Sequence, residues 1–491
     1  MAYQPSSHET FTHDSLSSLA YDWERVGDPH IAAHWPGKVL LPRGTADVVR
    51  AVREARTLGE HLVVRGSGHS SNHLVTAEGG TLLLTTLMNR VVEVDEDNLT
   101  CTMQAGALLF DVDVALGERG LGLSVVGDHN HITAAGFASV GGISPASHRY
   151  GLFLDTVSEL EYVDWDGDVH RCSREQQRER FFQVLAGTGR HGVITSLTVR
   201  IVRIDKWRTI LSNDRFVTTD FEKFIEHSAR LVRDPGDALM ERGAWADMPL
   251  PVGGSVRLGQ FSSYHETPQN PFKTLYDRVA YGYQQFLGYW AGRLPTAVDD
   301  LVKYLGFGTV LLPPGFGTAK NIERFTDQVL DSTVGDPTRM FIVLAPVEHF
   351  ETLLRELTQL ALRERQSSGG VTFVSVYVKA IRSDYLAGPE GGSKRYCELM
   401  LYLGVDPEKL TGSVLQQFVA RIDELAVRNQ AFRYMHSLTG SDPDIRAKVD
   451  PNARWDPDYA ATAARKNGEG AEPQQQGAGE PGSGSGESTE G

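Results

Sequence analysis

Short apolar blocks alternate with glycine-rich stretches over the first two hundred positions, and their spacing shifts between the period of a strand and that of a helix. Lys38 to Pro42 predicts a short strand. Gly44-Thr45-Ala46-Asp47 then offers an N-cap, and Val48, Val49, Val52 and Ala55 fall on one face of a helix that stops at Gly59. A strand follows at Leu62 to Val64 and ends in a turn too rich in Gly and Ser to continue it. Ser70 to Gly80 has no helical period, so the turn lacks the following helix of a Rossmann-type dinucleotide site. Strand patterns come next at Leu82 to Leu84, Arg90 to Asp95 and Thr100 to Gly106, then a helical one at Leu108 to Arg119. Gly127 to Ser144 is almost all small residues and reads as a second glycine-rich loop. Val157 to Val163 and Val169 to Cys172 flank a hairpin turn, and a third glycine-rich loop, Ala186 to Thr195, leads into a strand from Leu197 to Ile204.

The pattern changes after about Trp207. Strands are expected at Ser255 to Phe261, Met340 to Ala345, Val371 to Ala380 and Glu398 to Gly404, and helices at Phe221 to Arg233, Pro271 to Gly292, Phe350 to Ser367 and Thr411 to Arg428. This is the pattern of an antiparallel sheet covered by helices, which makes the chain α+β. Residues 1–35 are expected to be an N-terminal arm, 36–206 a first domain, 207–432 a second, 433–466 a closing segment, and 467–491 a disordered tail too poor in apolar residues to repay its ordering entropy.

Composition narrows the partners. With 48 Lys and Arg against 63 Asp and Glu, the formal net charge is -15, which disfavours a nucleic-acid surface and points to a small-molecule partner. Cys101, Cys172 and Cys397 are far apart and odd in number, so neither a disulfide framework nor a metal site is expected. The first twenty residues lack an apolar signal core, and no apolar run reaches membrane-spanning length. A cytoplasmic protein without a membrane partner is the expectation.

The first glycine-rich turn, Arg65-Gly66-Ser67-Gly68-His69-Ser70, can aim several backbone N–H groups at one point, with Arg65 adding charge, and so suits a pyrophosphate. His69 inside such a cradle is well placed to be a nucleophile toward a cofactor. Taken alone, the stretch equally suits an ordinary glycine turn around a satisfied histidine. Small residues from Gly127 to Ser144 would let a flat ligand lie against the backbone.

In order and spacing, Arg65 to Ser70, the segment ending Gly141-Gly142-Ile143-Ser144 and Ala186 to Thr195 resemble the flavin-binding domain of the vanillyl-alcohol oxidase superfamily, also called PCMH-type. Asp128 to Gly151 is most similar to cytokinin dehydrogenases, and the resemblance covers residues 36–204. It implies a two-subdomain FAD-binding domain, FAD carried covalently through His69, and contacts to the cofactor from Arg65, Gly66, Ser67, Gly68, Ser70, Asn72, Asp128, Thr133, Gly136, Ser139, Gly141, Gly142, Ser144, Gly192, Val193 and Ile194. It implies that Asp128 is the catalytic base, with His129 and His131 tuning it. Glu241 is the candidate supporting glutamate, and Tyr434 and His436 of the closing segment are candidates to reach the flavin. No cysteine lies between Cys101 and Cys172, so a second tether is not expected. Where the family has a closing Pro-Gly-Gln, this chain runs Asp450-Pro451-Asn452-Ala453 into Arg454-Trp455. The implied activity is oxidation of a C–N or C–O bond of a small molecule by hydride transfer to flavin N5, with oxygen or another acceptor taking the electrons. An alcohol or sugar oxidase, and a flavin-binding protein without turnover, stay open beside it. Trp245, Tyr281, Tyr289, Trp290 and Tyr385 suit either a flat substrate or a core.

Overall fold

The computed structural model of the chain describes residues 16–22, 33–71, 73–249, 254–290, 293–295, 298, 302, 305–306, 308–309, 311–325, 327, 338–435 and 442–466. Three sheets organise them. β1 (Lys38–Leu40), β2 (Leu62–Arg65) and β3 (Thr81–Leu84) form a small parallel sheet in the order β1-β3-β2. The helix Thr45–Leu58 crosses from β1 to β2, burying Val48, Ala51, Val52 and Ala55 and ending on Gly59 at φ 65°, whose N–H returns to the carbonyls of Ala55 and Arg56. That crossover delivers the chain to the end of β2, where the first glycine-rich turn begins.

β4 (Val91–Asp95), β5 (Thr100–Gln104), β6 (Gly122–Leu123), β7 (Val157–Val163), β8 (Val169–Ser173) and β9 (Val193–Val202) make the second sheet, ordered β4-β5-β9-β7-β8 with β6 also on β9. Its pairings are antiparallel. The glycine-rich run from Gly127 is not loop throughout, because Ala134–Val140 is a helix. Ala134, Ala135 and Ala138 are buried, and the N–H groups of Ala134 and Ala135 donate to the carbonyls of Ala107 (2.9 Å) and Ala105 (2.9 Å). Small side chains that look like loop composition are here what lets a helix lie close to β5.

The third sheet is antiparallel and larger. β10 (Ile210–Thr218), β11 (Met240–Pro249), β12 (Ser255–Glu266), β13 (Phe316–Thr318), β14 (Thr338–Pro346), β15 (Val371–Ser383), β16 (Lys394–Val405) and β17 (Phe432–Arg433) run in the order β13-β10-β12-β11-β15-β16-β14-β17. Val374, Val376, Val378 and Ala380 of β15, with Leu399, Leu401 and Leu403 of β16, share a core with the helices Phe221–Arg233, Phe350–Ser367 and Gly412–Arg428. Side chains alternate across a strand, so Tyr377 and Lys379 of β15 and Glu398 and Tyr402 of β16 point from the opposite face. β10 and β11 lie outside the strands that the sequence pattern predicts. In β11 the charged Glu241, Arg242 and Asp247 interrupt any apolar period, yet all three are buried, and Asp247 is paired with Arg365 (2.9 Å) and Arg257 (2.7 Å). Among the described residues no helix is long and apolar enough to cross a membrane. Of the expected features, Asn72, His436 and the tail from residue 467 lie outside the described residues.

Candidate active site

Arg65 ends β2 and faces backward. Its guanidinium donates to the carbonyls of Tyr21 (2.9 Å) and Ser18 (3.2 Å), and burial pulls its pKa down to about 10 against the pull of Asp22. The charge expected on a pyrophosphate is therefore spent on the short N-terminal 3-10 helix Leu16–Ala20 and the residue after it. Asp22 secures the far side of the loop: Ser70 Oγ donates to it at 3.3 Å, and it accepts the backbone N–H of His73, which sits at φ 59°. Burial raises the Asp22 pKa, opposed by His73 and Arg65. Sequence reasoning missed Asp22, which lies in an arm without periodicity.

Between these braces the loop is thin. A Cβ on Gly66 would stand 2.0 Å from Thr133 Oγ1, so only glycine lets the first turn meet the second glycine-rich run. Ser67 Oγ lies 3.0 Å from His69 Nδ1, and the His69 ring lies 4.1 Å from that of His129, centroid to centroid. His129 in turn meets His131 edge-on at 5.6 Å, and His131 stacks on Phe110 at 5.1 Å. Thr133, Gly136 and Ser139 follow on one side of the helix Ala134–Val140, Gly136 exposed and Ser139 half-buried. A floor of small residues ending at a half-buried imidazole fits a planar ring system joined to a phosphate arm.

The other expected glycine contacts serve the protein's own packing. Gly142 has φ 78°, and a Cβ there would come 2.4 Å from Phe153 Cβ, while one on Gly192 would meet the Val163 carbonyl at 2.2 Å. Ser144 is buried, with its Oγ accepting the Ala146 N–H at 3.1 Å. Gly141 faces Tyr434 and Met435. The Tyr434 hydroxyl accepts the Gly142 N–H at 2.8 Å, and burial pushes its pKa up, with Glu398 adding to the rise. Val193 and Ile194 are buried at the start of β9. The third glycine-rich loop bonds to the second through Ala186 and Thr188, whose N–H groups donate to Ala138 and Ser139. It also receives the closing segment: Arg190 pairs with Asp450 at 3.3 Å, and Asn452 Nδ2 donates to the Leu185 carbonyl (3.1 Å) and Tyr385 Oη (2.9 Å).

Asp128 stands where the glycine-rich face meets the third sheet. Lys379 Nζ lies 2.6 Å from Asp128 Oδ2 and 2.7 Å from Glu398 Oε2. Lys379 and Glu398 are buried, whereas the Asp128 side chain keeps 26% of its surface open. Burial opposes the Lys379 charge, but the two carboxylates win and hold its pKa well above the lysine range. Burial raises the Glu398 pKa, with Lys379 opposing and Asp128 reinforcing.

Glu241 is not part of this group. It shares the helix-covered face of β11 with Trp245, its Oε1 accepts Ser263 Oγ at 3.1 Å, and burial pushes its pKa up to about 8. The glutamate that shares Lys379 with Asp128 is Glu398, a residue that the sequence shows only as the start of an apolar strand. The aromatic candidates divide. Trp245 and Tyr385 are core, Tyr289 and Trp290 are exposed, and Tyr281 lies under the Arg324 guanidinium at 4.3 Å.

Residues 36–173 match the family of FAD binding domains. Cytokinin dehydrogenase 2 of Arabidopsis thaliana is 31% identical over 204 residues, 41% of this chain and 40% of its own length. Cytokinin dehydrogenase 1 of Oryza sativa subsp. japonica is 28% identical over 322 residues, 61% of this chain and 59% of its own. An uncharacterized oxidoreductase of the Rhodococcoides fascians fasciation locus is 37% identical over 166 residues, 34% of this chain and 37% of its own. The chain thus spans between about two fifths and three fifths of these curated relatives.

Proposed function

The chain carries an FAD-binding domain of the PCMH-type FAD-linked oxidase superfamily and is similar there to cytokinin dehydrogenases, and from that premise we propose that it is an FAD-dependent oxidoreductase acting on a C–N or C–O bond of a small molecule. The observation that carries the reading is the partly exposed Asp128 side chain, one residue from the His129 imidazole that packs at a tilt against His69. Backbone N–H groups of residues 66–69, with Ser67, would hold the pyrophosphate, and Ser70 would brace the turn through Asp22. Thr133, Gly136 and Ser139 would lie under the ring, with Gly141, Gly142, Ser144, Gly192, Val193 and Ile194 shaping the backbone around it.

His69 would tether the cofactor through its imidazole, which prevents dissociation. When bound, the flavin supplies the hydride acceptor and passes the electrons to oxygen or another acceptor. Removing hydride from a carbon that bears N or O requires the heteroatom to lose its proton, and Asp128 accepts that proton. Tyr434 holds the Gly142 amide and thereby the second glycine-rich run, a positioning role.

A specific observation favours the C–O version, an alcohol or sugar oxidase. The sheet face beside Asp128 carries Tyr377 and Arg242, hydrogen-bonding groups that match hydroxyls better than an apolar substituent. The test is acid precipitation of the purified protein and of His69→Ala, followed by screening amines and polyols for bleaching of the flavin. Yellow in the wild-type pellet alone supports the histidyl tether, and bleaching supports turnover. A flavin that no substrate class bleaches would favour a binding protein, and a colourless protein that refuses added FAD would sink the reading.

A further inference from the structure

A lysine so close to a proton-accepting carboxylate is not neutral in its effect. Asp128 and Glu398 both lie within hydrogen-bond reach of one ammonium, and the ammonium and Glu398 are buried. Without the cation, two carboxylates would share one low-dielectric site, and one of them would have to take a proton. Lys379 also reaches Asp128 from a strand of the third sheet, so it fixes the direction of a side chain that belongs to a glycine-rich loop.

Resting on the proposed oxidoreductase reading, we propose that Lys379 is the positioning residue of the base: it bridges Asp128 to Glu398, keeps Asp128 ionised while the substrate proton is still on its heteroatom, and fixes the direction of its carboxylate. Glu398 balances the ammonium, so that the excess negative charge of the triad is one and is available at Asp128. The titratable and charged groups around the triad are Tyr377 on β15, Tyr402 on β16, Tyr434 at the end of β17, Arg242 on β11 and the His129 ring beside Asp128.

Two substitutions pull in opposite directions, which a merely structural role would not do. In Lys379→Met the base loses its cation, and the acid limb of kcat/KM moves to higher pH by about one to three pH units, the usual effect of a close charge. In Glu398→Gln the cation serves Asp128 alone, and the limb moves to lower pH. Lys379→Arg keeps the charge and restores most of the wild-type profile. Infrared difference spectra of the holoprotein at pH 7 read the same event without turnover: Lys379→Met gains a protonated-carboxyl band, and the band is lost when Asp128→Asn and Glu398→Gln are added. Unchanged profiles and no new band in a folded Lys379→Met protein would overturn the proposal. Absence of turnover with every substrate class would defeat the oxidoreductase reading instead, and the infrared comparison would still decide the charge bridge.

Discussion

Two buried glutamates show how little a residue's type says about its task. Glu241 and Glu398 both have raised pKa values, with burial the largest cause in each. Glu398 meets an ammonium and sits one contact from Asp128, whereas Glu241 has a hydroxyl partner and faces the helical layer. At Glu241 the folded pKa, about 8, stands above the ordinary glutamate value, so between roughly pH 4.3 and 8 the folded state holds a proton that the unfolded chain releases. Stability contributed by the neutral acid is complete below that window and is lost as pH rises through it. Glu241→Gln should remove this slope and raise stability at pH 8 by a few kcal/mol as an order of magnitude, with bleaching of the flavin by substrate unaffected. Denaturant midpoints at pH 5 and pH 8 check it, and a slope that survives the substitution would refute the assignment. Asp128→Asn should do the reverse. On the proposed reading the amide keeps the shape and removes the base, so kcat should fall by about two to four powers of ten while the melting curve stays near wild type.

At the scale of elements, periodicity exposes what is amphipathic and hides what is buried on both sides. β15 is readable because Val374, Val376 and Val378 alternate with residues of another kind, and the helix Phe221–Arg233 because its buried Phe224, Ile225, Ala229 and Val232 recur at helical spacing. β11 carries no such alternation, since its buried charges are satisfied by residues far along the chain, Arg365 among them. The helix Ala134–Val140 is hidden for a different reason, because alanine and glycine signal a loop in composition and a close approach in packing. Gly142→Ala tests that second meaning. A methyl at φ 78° would be strained and would press on Phe153, so the variant should lose stability by about 1–3 kcal/mol and loosen its hold on FAD, read as a rise in the free-flavin fraction. Retained stability and retained flavin would mean that the run from Gly141 tolerates bulk and does not shape the floor.

Across the whole molecule, the glycine-rich loops and their spacing were legible along the chain, but what joins them to the third sheet was not, because charge pairing between distant segments leaves no local period. Lys379 with Asp128 is one such link, and a buried cluster is another. Lys320 Nζ, from the short helix Ala319–Glu323, lies 2.8 Å from Asp113 Oδ2 and 3.3 Å from Glu323, and it donates to Asn130 Oδ1 in the loop that carries His129 and His131. Lys206 completes it, 3.1 Å from Asp113 and 2.6 Å from Glu323. Two cations and two anions balance, so removing one leaves an uncompensated charge in the interior. Lys320→Met should therefore cost about 3–5 kcal/mol at pH 7, well beyond the loss of a surface pair. Burial alone would raise the Asp113 pKa, but Lys206 and Lys320 bring it below the ordinary value. A depressed acid contributes stability above about pH 3.9, the unfolded value, and gives it up as pH falls through the folded one. The wild-type advantage over Lys320→Met should thus shrink in acid as Asp113 takes up its proton. Urea unfolding of both proteins from pH 7 to pH 3 measures it, and a constant difference across that range would show that the lysine contributes by packing and not by charge.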